Sequence, residues 1–319
     1  MLFSFLYIAL GVALLYFGAE WLVRGAARLA RQLGISPLII GLTVVAFGTS
    51  APELFASLIA QVGMGAGSVA IGNVVGSNIY NLGLVLGLSA IITPIAVHSV
   101  VVKREAPICV AVTVLFVMLI WDGSVQRWEA FLFLSLFALY NVYQYREARR
   151  SRGEQAVTRE YGKVIGTSAR QDIWKQLAFI LAGTVSLGIG AKLLVEHGII
   201  LGRGFGISDR VIGLTVVALG TSLPELATAI VAAARKHIDV LVGNVIGSNI
   251  FNILLIIGAV GAISPIEFDP ALLRVDAPFL VVITGVMMFL ISTGKRLRRW
   301  EGAILLVAAV GYTVYLYSV

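Results

Sequence analysis

Two carboxylates, Glu53 and Glu225, stand where the surrounding sequence gives charge little support. Each lies in a long apolar run, directly after a proline and three residues after a Thr-Ser pair. The two stretches read Gly41-Leu-Thr-Val-Val-Ala-Phe-Gly-Thr-Ser-Ala-Pro-Glu53 and Gly213-Leu-Thr-Val-Val-Ala-Leu-Gly-Thr-Ser-Leu-Pro-Glu225. An ionisable residue within a membrane-spanning segment marks a functional site by default, and an accident of packing does not explain two near-identical copies. Proline in a helix interior removes a backbone hydrogen bond and disfavours the helical conformation of its predecessor. Pro52 and Pro224 are therefore expected to break or kink their segments just after Thr-Ser. Unbonded backbone at membrane depth is tolerated only where it lines a cavity or finds other partners. The carbonyls of Ala46 and Ala218, the hydroxyls of Thr49, Ser50, Thr221 and Ser222, and the two carboxylates then face one cavity.

A second duplicated motif supplies more oxygen. Gly72-Asn-Val-Val-Gly-Ser-Asn-Ile-Tyr-Asn81 is answered by Gly243-Asn-Val-Ile-Gly-Ser-Asn-Ile-Phe-Asn252. Ser77 and Asn81 are one helical turn apart and share a face, as do Ser248 and Asn252. Calcium takes about 6–8 oxygen ligands in flexible geometry, whereas magnesium keeps much of its water and softer metals favour His and Cys. None of the three histidines, His98, His197 and His237, falls in these segments. The donor set suits Ca²⁺ or Na⁺. Two carboxylates balance one Ca²⁺, and several Na⁺ ions can compete for the same oxygens; such differential occupancy is what an exchange reaction requires. Gly72, Gly76, Gly243 and Gly247 read as close-packing residues, and Asn73 and Asn244 as interhelical hydrogen-bonding residues or further ligands.

The elements that must hold these groups are membrane helices. Of 319 residues, 59% are apolar and 13% charged, and the apolar runs are continuous and of helix length rather than alternating as in a transmembrane barrel. Spans are expected at 3–23, 37–62, 68–92, 105–121 and 128–145, and again at 174–200, 209–234, 239–263, 276–293 and 299–317. A polar, arginine-rich stretch, 146–172, reads as a solvated linker between a first unit, 1–145, and a second, 173–319. The two units repeat one another at an offset of 171 or 172 residues, from Gly18-Ala-Glu20 against Gly190-Ala-Lys192 to Glu105-Ala-Pro107 against Asp276-Ala-Pro278. Glu20 and Lys192 read as residues paired or snorkelling near span ends, and Trp21, Trp121, Trp128, Trp174 and Trp300 as interface anchors.

Five crossings per unit turn the second copy upside down. The expected fold is thus an all-α polytopic membrane protein of ten transmembrane helices, arranged as two inverted five-helix repeats, with its site near the midplane. Lysine and arginine divide about 19 to 4 between odd-numbered and even-numbered loops, which puts both termini outside and the central loop in the cytoplasm. The net charge of +7 is then a topology signal and an anionic-lipid contact, not a nucleic-acid footprint. The single cysteine, Cys109, leaves no room for an intramolecular disulfide or a cysteine metal cluster.

The doubled Gly-Thr-Ser-x-Pro-Glu and Gly-Asn-Val-x-Gly-Ser-Asn-Ile-x-Asn motifs resemble the alpha repeats of the cation/Ca²⁺ exchanger superfamily. The nearest branch is the sodium/calcium exchangers, in their short prokaryotic form without regulatory calcium-binding domains. The resemblance implies alternating access, with the first and sixth helices sliding against the remaining bundle. It also implies ion ligands at Thr49, Ser50, Glu53, Ser77, Asn81, Thr221, Ser222, Glu225, Ser248 and Asn252. Some prokaryotic members, and the potassium-dependent exchangers, carry aspartate where Asn252 stands; asparagine removes a third carboxylate and, in terms of the resemblance, argues against potassium co-transport. The Gly-Asn-Ala-x-Glu motif of the proton/calcium branch is missing. The expected activity is exchange of Na⁺ for Ca²⁺ across the cell membrane by a monomer, with transported ions in place of any cofactor and no covalent chemistry. The same fold running on protons, as a Ca²⁺/H⁺ antiporter, is the alternative. A cation channel fits symmetric occluded sites poorly, and an intramembrane hydrolase lacks a His or Lys to activate Ser50 or Ser222.

Overall fold

A computed structural model describes residues 2–160, 171–204 and 218–318. Among them are ten helical segments in chain order: α1 (Leu2–Leu33), α2 (Pro37–Gly63), α3 (Gly67–Ile92), α4 (Val101–Asp122), α5 (Arg127–Glu160), α6 (Gln171–Gly204), α7 (Ala218–Thr221 and Leu223–Ala234), α8 (Ile238–Ile263), α9 (Ala271–Gly294) and α10 (Arg299–Ser318). Several helices outrun their expected bounds. α1 continues ten residues past 23 because nothing interrupts it before Gly34, which closes it in the left-handed conformation (φ 66°). The Ile35 amide then reaches back to the Ala30 carbonyl (3.0 Å), as a glycine-terminated helix end does. The stretch from Arg146, expected as an irregular linker, begins as a continuation of α5 to Glu160. It is rich in Arg, Glu and Ala, which are good helix formers, and has no proline. Residues 161–170 of that stretch, and the start of the seventh span through Val217, lie outside the described residues.

Polarity is inverted relative to a water-soluble protein. Phe3, Phe55, Met118, Leu181, Phe289 and Val307 are exposed, while Glu53, Thr49, Ser248 and Asn252 are wholly buried. An apolar exterior of this extent is at home only against hydrocarbon. All five tryptophans are exposed.

The inverted symmetry can be read from contacts. α1 and α6 cross through matched glycines: a Cβ on Gly18 would lie 2.9 Å from the Gly183 carbonyl, and one on Gly11 2.9 Å from that of Gly190. Without a hydrophobic drive between helices in lipid, close backbone approach through small residues is what holds such a pair. Ser186 donates to the Leu14 carbonyl (2.8 Å); these are equivalent positions of the two repeats, meeting at the axis. Short antiparallel pairs repeat the relation at the two ends. β1 (Ile95–Ala96), between α3 and α4, pairs with β4 (Arg296–Leu297), between α9 and α10. Its counterpart joins β3 (Ile266–Glu267), between α8 and α9, to β2 (Ser124–Val125), between α4 and α5. The first pair joins two odd-numbered loops and the second two even-numbered loops, so each lies on its own face.

Glu20 is paired, one of the two states expected of it. Since α1 runs on to Leu33, this residue lies in mid-helix and is buried. It takes an ion pair from Arg24 and a two-pronged one from Arg235 at the end of α7, with Nε at 3.0 Å and a terminal nitrogen at 2.6 Å. Lys192 is exposed and lies 3.7 Å from Glu196 on its own helix.

Candidate functional site

The backbone around the acids is shaped by wide helical turns as well as by proline. In α2 a π-helical turn over Gly41–Val45 leads into α-helix from Ala46 to Leu58, and a second π turn follows over Ile59–Gly63. Pro52 sits inside the α-helical part without ending it; of the expected break or kink, the break is absent there. α7 behaves as expected. It is interrupted at Ser222 (φ −89°, ψ 6°), so Pro224 falls in the first turn of Leu223–Ala234, where its missing N–H is not needed. π turns also begin at Asn81 in α3 and at Asn252 in α8. Apolar periodicity does not reveal these turns, yet they begin at both asparagines expected as ligands, and such turns often mark functional sites.

Groups from the two repeats, remote in sequence, are brought together. Ser50 donates to Glu225 Oε1 (3.2 Å), and Glu53 lies within electrostatic reach of Glu225. Thr49 donates to Asn244 Oδ1 (3.1 Å) and, at 3.4 Å, to the Ala46 carbonyl, and its hydroxyl is 3.4 Å from that of Ser248. Across the axis Ser222 donates to Ser77 (3.5 Å) and Thr221 to Asn73 Oδ1 (3.5 Å). Glu53, Glu225, Thr49, Ser50, Ser77, Asn81, Ser222, Ser248 and Asn252 are all buried, and Thr221 is half-buried. Ala218 opens the described part of α7.

Many of these oxygens have no donor. Both carboxylate oxygens of Glu53, Oε2 of Glu225, and Oδ1 of Asn81 and of Asn252 are buried without a hydrogen-bond partner among the described residues. Buried acceptors are ordinarily satisfied, and a buried charge must be paired or bind a metal. A set of orphaned hard oxygens drawn from both repeats fits an alkali or alkaline-earth cation.

The second-repeat glycines pack as expected: a Cβ on Gly243 would lie 2.5 Å from the Leu38 carbonyl, and one on Gly247 2.7 Å from that of Leu42. Gly72 and Gly76 have no such neighbour among the described residues. Asn73 does more than bridge helices. It donates to the Glu53 carbonyl (3.1 Å) and to Ser57 Oγ (2.9 Å), supporting the backbone that carries the acid.

A family profile described as "Sodium/calcium exchanger protein" matches residues 3–146 and 175–318, one block per repeat. The chain belongs to that family. Among its relatives, CaxA of Alkalimonas amylolytica is 38% identical over 321 residues, covering 100% of both chains. The sodium/calcium exchanger MaX1 of Methanosarcina acetivorans is 33% identical over 347 residues, covering 99% of each. Among solved structures, the sodium-calcium exchanger NCX_Mj superposes with a TM-score of 0.83 at 31% identity, over 99% of this chain and 98% of that one. The protein is thus a membrane antiporter of the exchanger family, with ten helices in two inverted repeats.

If the acids form the ion path, replacing either by its neutral isostere should be decisive. Glu53→Gln and Glu225→Gln are each expected to reduce Ca²⁺ flux in proteoliposomes to background, with folded yield and elution profile in detergent unchanged. Flux retained by either variant would remove that carboxylate from the path.

Proposed function

We propose that this exchanger exports Ca²⁺ from the cytoplasm in exchange for Na⁺ entering the cell, by alternating access and without covalent chemistry. The observation that carries this reading is the group of orphaned buried oxygens around Glu53 and Glu225. In it, Ca²⁺ would be held by the two carboxylates with help from Thr49, Ser50, Thr221, Ser222 and the Ala46 and Ala218 carbonyls. Ser77, Asn81, Ser248 and Asn252 complete a set on which Na⁺ ions compete. Since two negative charges balance one divalent ion or a pair of monovalent ones, occupancy by one cargo disfavours the other, which couples the two fluxes. MaX1 and NCX_Mj are both named as sodium/calcium exchangers, which supports sodium as the coupling ion. In this reading the units 1–145 and 173–319 supply half the site each, and a single copy suffices.

Isotopic Ca²⁺ uptake into proteoliposomes distinguishes the coupling ions. An outward Na⁺ gradient is expected to drive uptake, while a pH gradient alone or a K⁺ gradient leaves it at background. Uptake driven by the pH gradient without Na⁺ would replace this reading with Ca²⁺/H⁺ exchange.

Basic residues concentrate in the odd-numbered loops, which supports termini outside the cell and the 146–172 stretch in the cytoplasm, beside anionic lipid. In a Cys109→Ala background, an impermeant thiol reagent applied outside intact cells should label Ser124→Cys and spare Thr293→Cys. The reverse pattern would invert the orientation.

A further inference from the structure

The asparagine side chains just before the π turns form a relay across the symmetry axis. Asn78 donates from Nδ2 to the backbone carbonyl of Asn249 (3.3 Å). A carbonyl can only accept, so this bond fixes which end of the Asn78 amide faces which way. Its Oδ1 then accepts from Asn252 Nδ2 (3.0 Å). With Nδ2 so engaged, Asn252 Oδ1 is left buried and without a donor, one turn beyond Ser248, whose hydroxyl touches Thr49. The equivalent limb has Asn81 Nδ2 donating to Asn249 Oδ1 (3.1 Å), and Asn81 Oδ1 is again orphaned. That limb has no anchor: Asn249 Nδ2 finds no acceptor among the described residues. Asn78 and Asn249 are both about 1% exposed, too enclosed for water to substitute freely.

We infer that Asn78 is a positioning and specificity residue: through the Asn249 carbonyl it sets the sense of the Asn252 amide, presents Oδ1 as a neutral ion ligand, and favours an amide over a carboxylate at position 252. Both oxygens of a carboxylate at 252 are acceptors. One would face the acceptor Oδ1 of Asn78 unless Asn78 turned over and gave up its bond to the Asn249 carbonyl. The site's formal charge is thereby held at the two negatives of Glu53 and Glu225. Asn78 does not itself touch the ion. Supporting residues of this kind typically change metal affinity by about 10–100-fold when removed.

This inference rests on the proposed binding of Ca²⁺ at these oxygens, and its test is equilibrium binding of isotopic Ca²⁺ to the purified full chain in Na⁺-free detergent, which does not depend on the coupling ion. Asn78→Leu removes both bonds of the relay and is expected to weaken Ca²⁺ binding by about 10–100-fold. Asn78→Asp gives up the bond to the Asn249 carbonyl but keeps an acceptor for Asn252 in either orientation, and is expected to stay within about 10-fold of wild type. Adding Asn252→Asp to Asn78→Leu should recover most of the lost affinity, since a carboxylate needs no partner to present an oxygen. A residue that only held the helices together would behave otherwise: Asp would fail as Leu does, and a second buried change would worsen binding. Either of those results, or unchanged binding by Asn78→Leu, overturns the inference; should the Leu variant not fold, the Asp variant decides alone. Absence of Ca²⁺ binding by wild-type protein would instead overturn the functional reading, and this one with it.

Discussion

The structure is governed by the difficulty of keeping two carboxylates in the middle of a membrane. An ionised carboxylate taken out of water and left unpaired costs several kcal/mol even after the protein relaxes, and Glu53 and Glu225 lie close enough to repel one another. Among the described residues neither is paired with a lysine or arginine, and the hydrogen bond from Ser50 to Glu225 satisfies one of their four oxygens. The strongly basic Arg235 is turned to Glu20 instead. In the proposed reading such a site is completed by cations, and a need for positive charge that different ions can meet suits it to carrying cargo rather than to storing a resident metal.

Inverted duplication supplies the geometry. One five-helix unit cannot surround an ion from two sides, but two units of opposite sense can, each presenting a Thr-Ser-x-Pro-Glu turn to the other. The glycine-mediated crossing of α1 with α6 and the two strand pairs at opposite faces fix the relation between the units. Within that frame the repeats are not identical. Pro52 is accommodated in a continuous helix while α7 is interrupted at Ser222, and among the described residues only the Asn78 limb of the amide relay is anchored on a carbonyl. Glu20 is locked to α7, whereas its counterpart Lys192 stays on its own helix. Alternation between two faces does not require equal energies for the two conformations, and such departures from symmetry are where a difference is set.

Much of this was legible in the sequence, because membrane folding leaves few alternatives: every long apolar run must be a helix, and a duplicated motif with an odd number of crossings must be inverted. The convergence of Ser50 on Glu225 and of Thr49 on Ser248 followed from residue types and repeat positions alone. The π turns did not, since a helix that gains one residue in a turn keeps its apolar composition. Pro52 stays within a continuous helix, because the local rule for proline allows a bend as well as a break. Asn78 and Asn249 were passed over because an asparagine beside a ligand motif looks like any other interhelical hydrogen-bonding residue. Only the direction of a bond to a backbone carbonyl sets Asn78 apart. Glu20 is paired, as one of its two expected states, but that its main partner would be Arg235 of the second repeat could not be read from a local pattern.

The claim on which all this depends is that the orphaned oxygens gathered from both repeats hold the transported ion. Anomalous diffraction from crystals of the protein grown with Sr²⁺ as a stand-in for Ca²⁺ tests it most directly. The account predicts a strong peak within coordination distance of both the Glu53 and Glu225 carboxylates, lost when the crystals are soaked in high Na⁺. A peak elsewhere in the molecule, with none between those two acids, would contradict it.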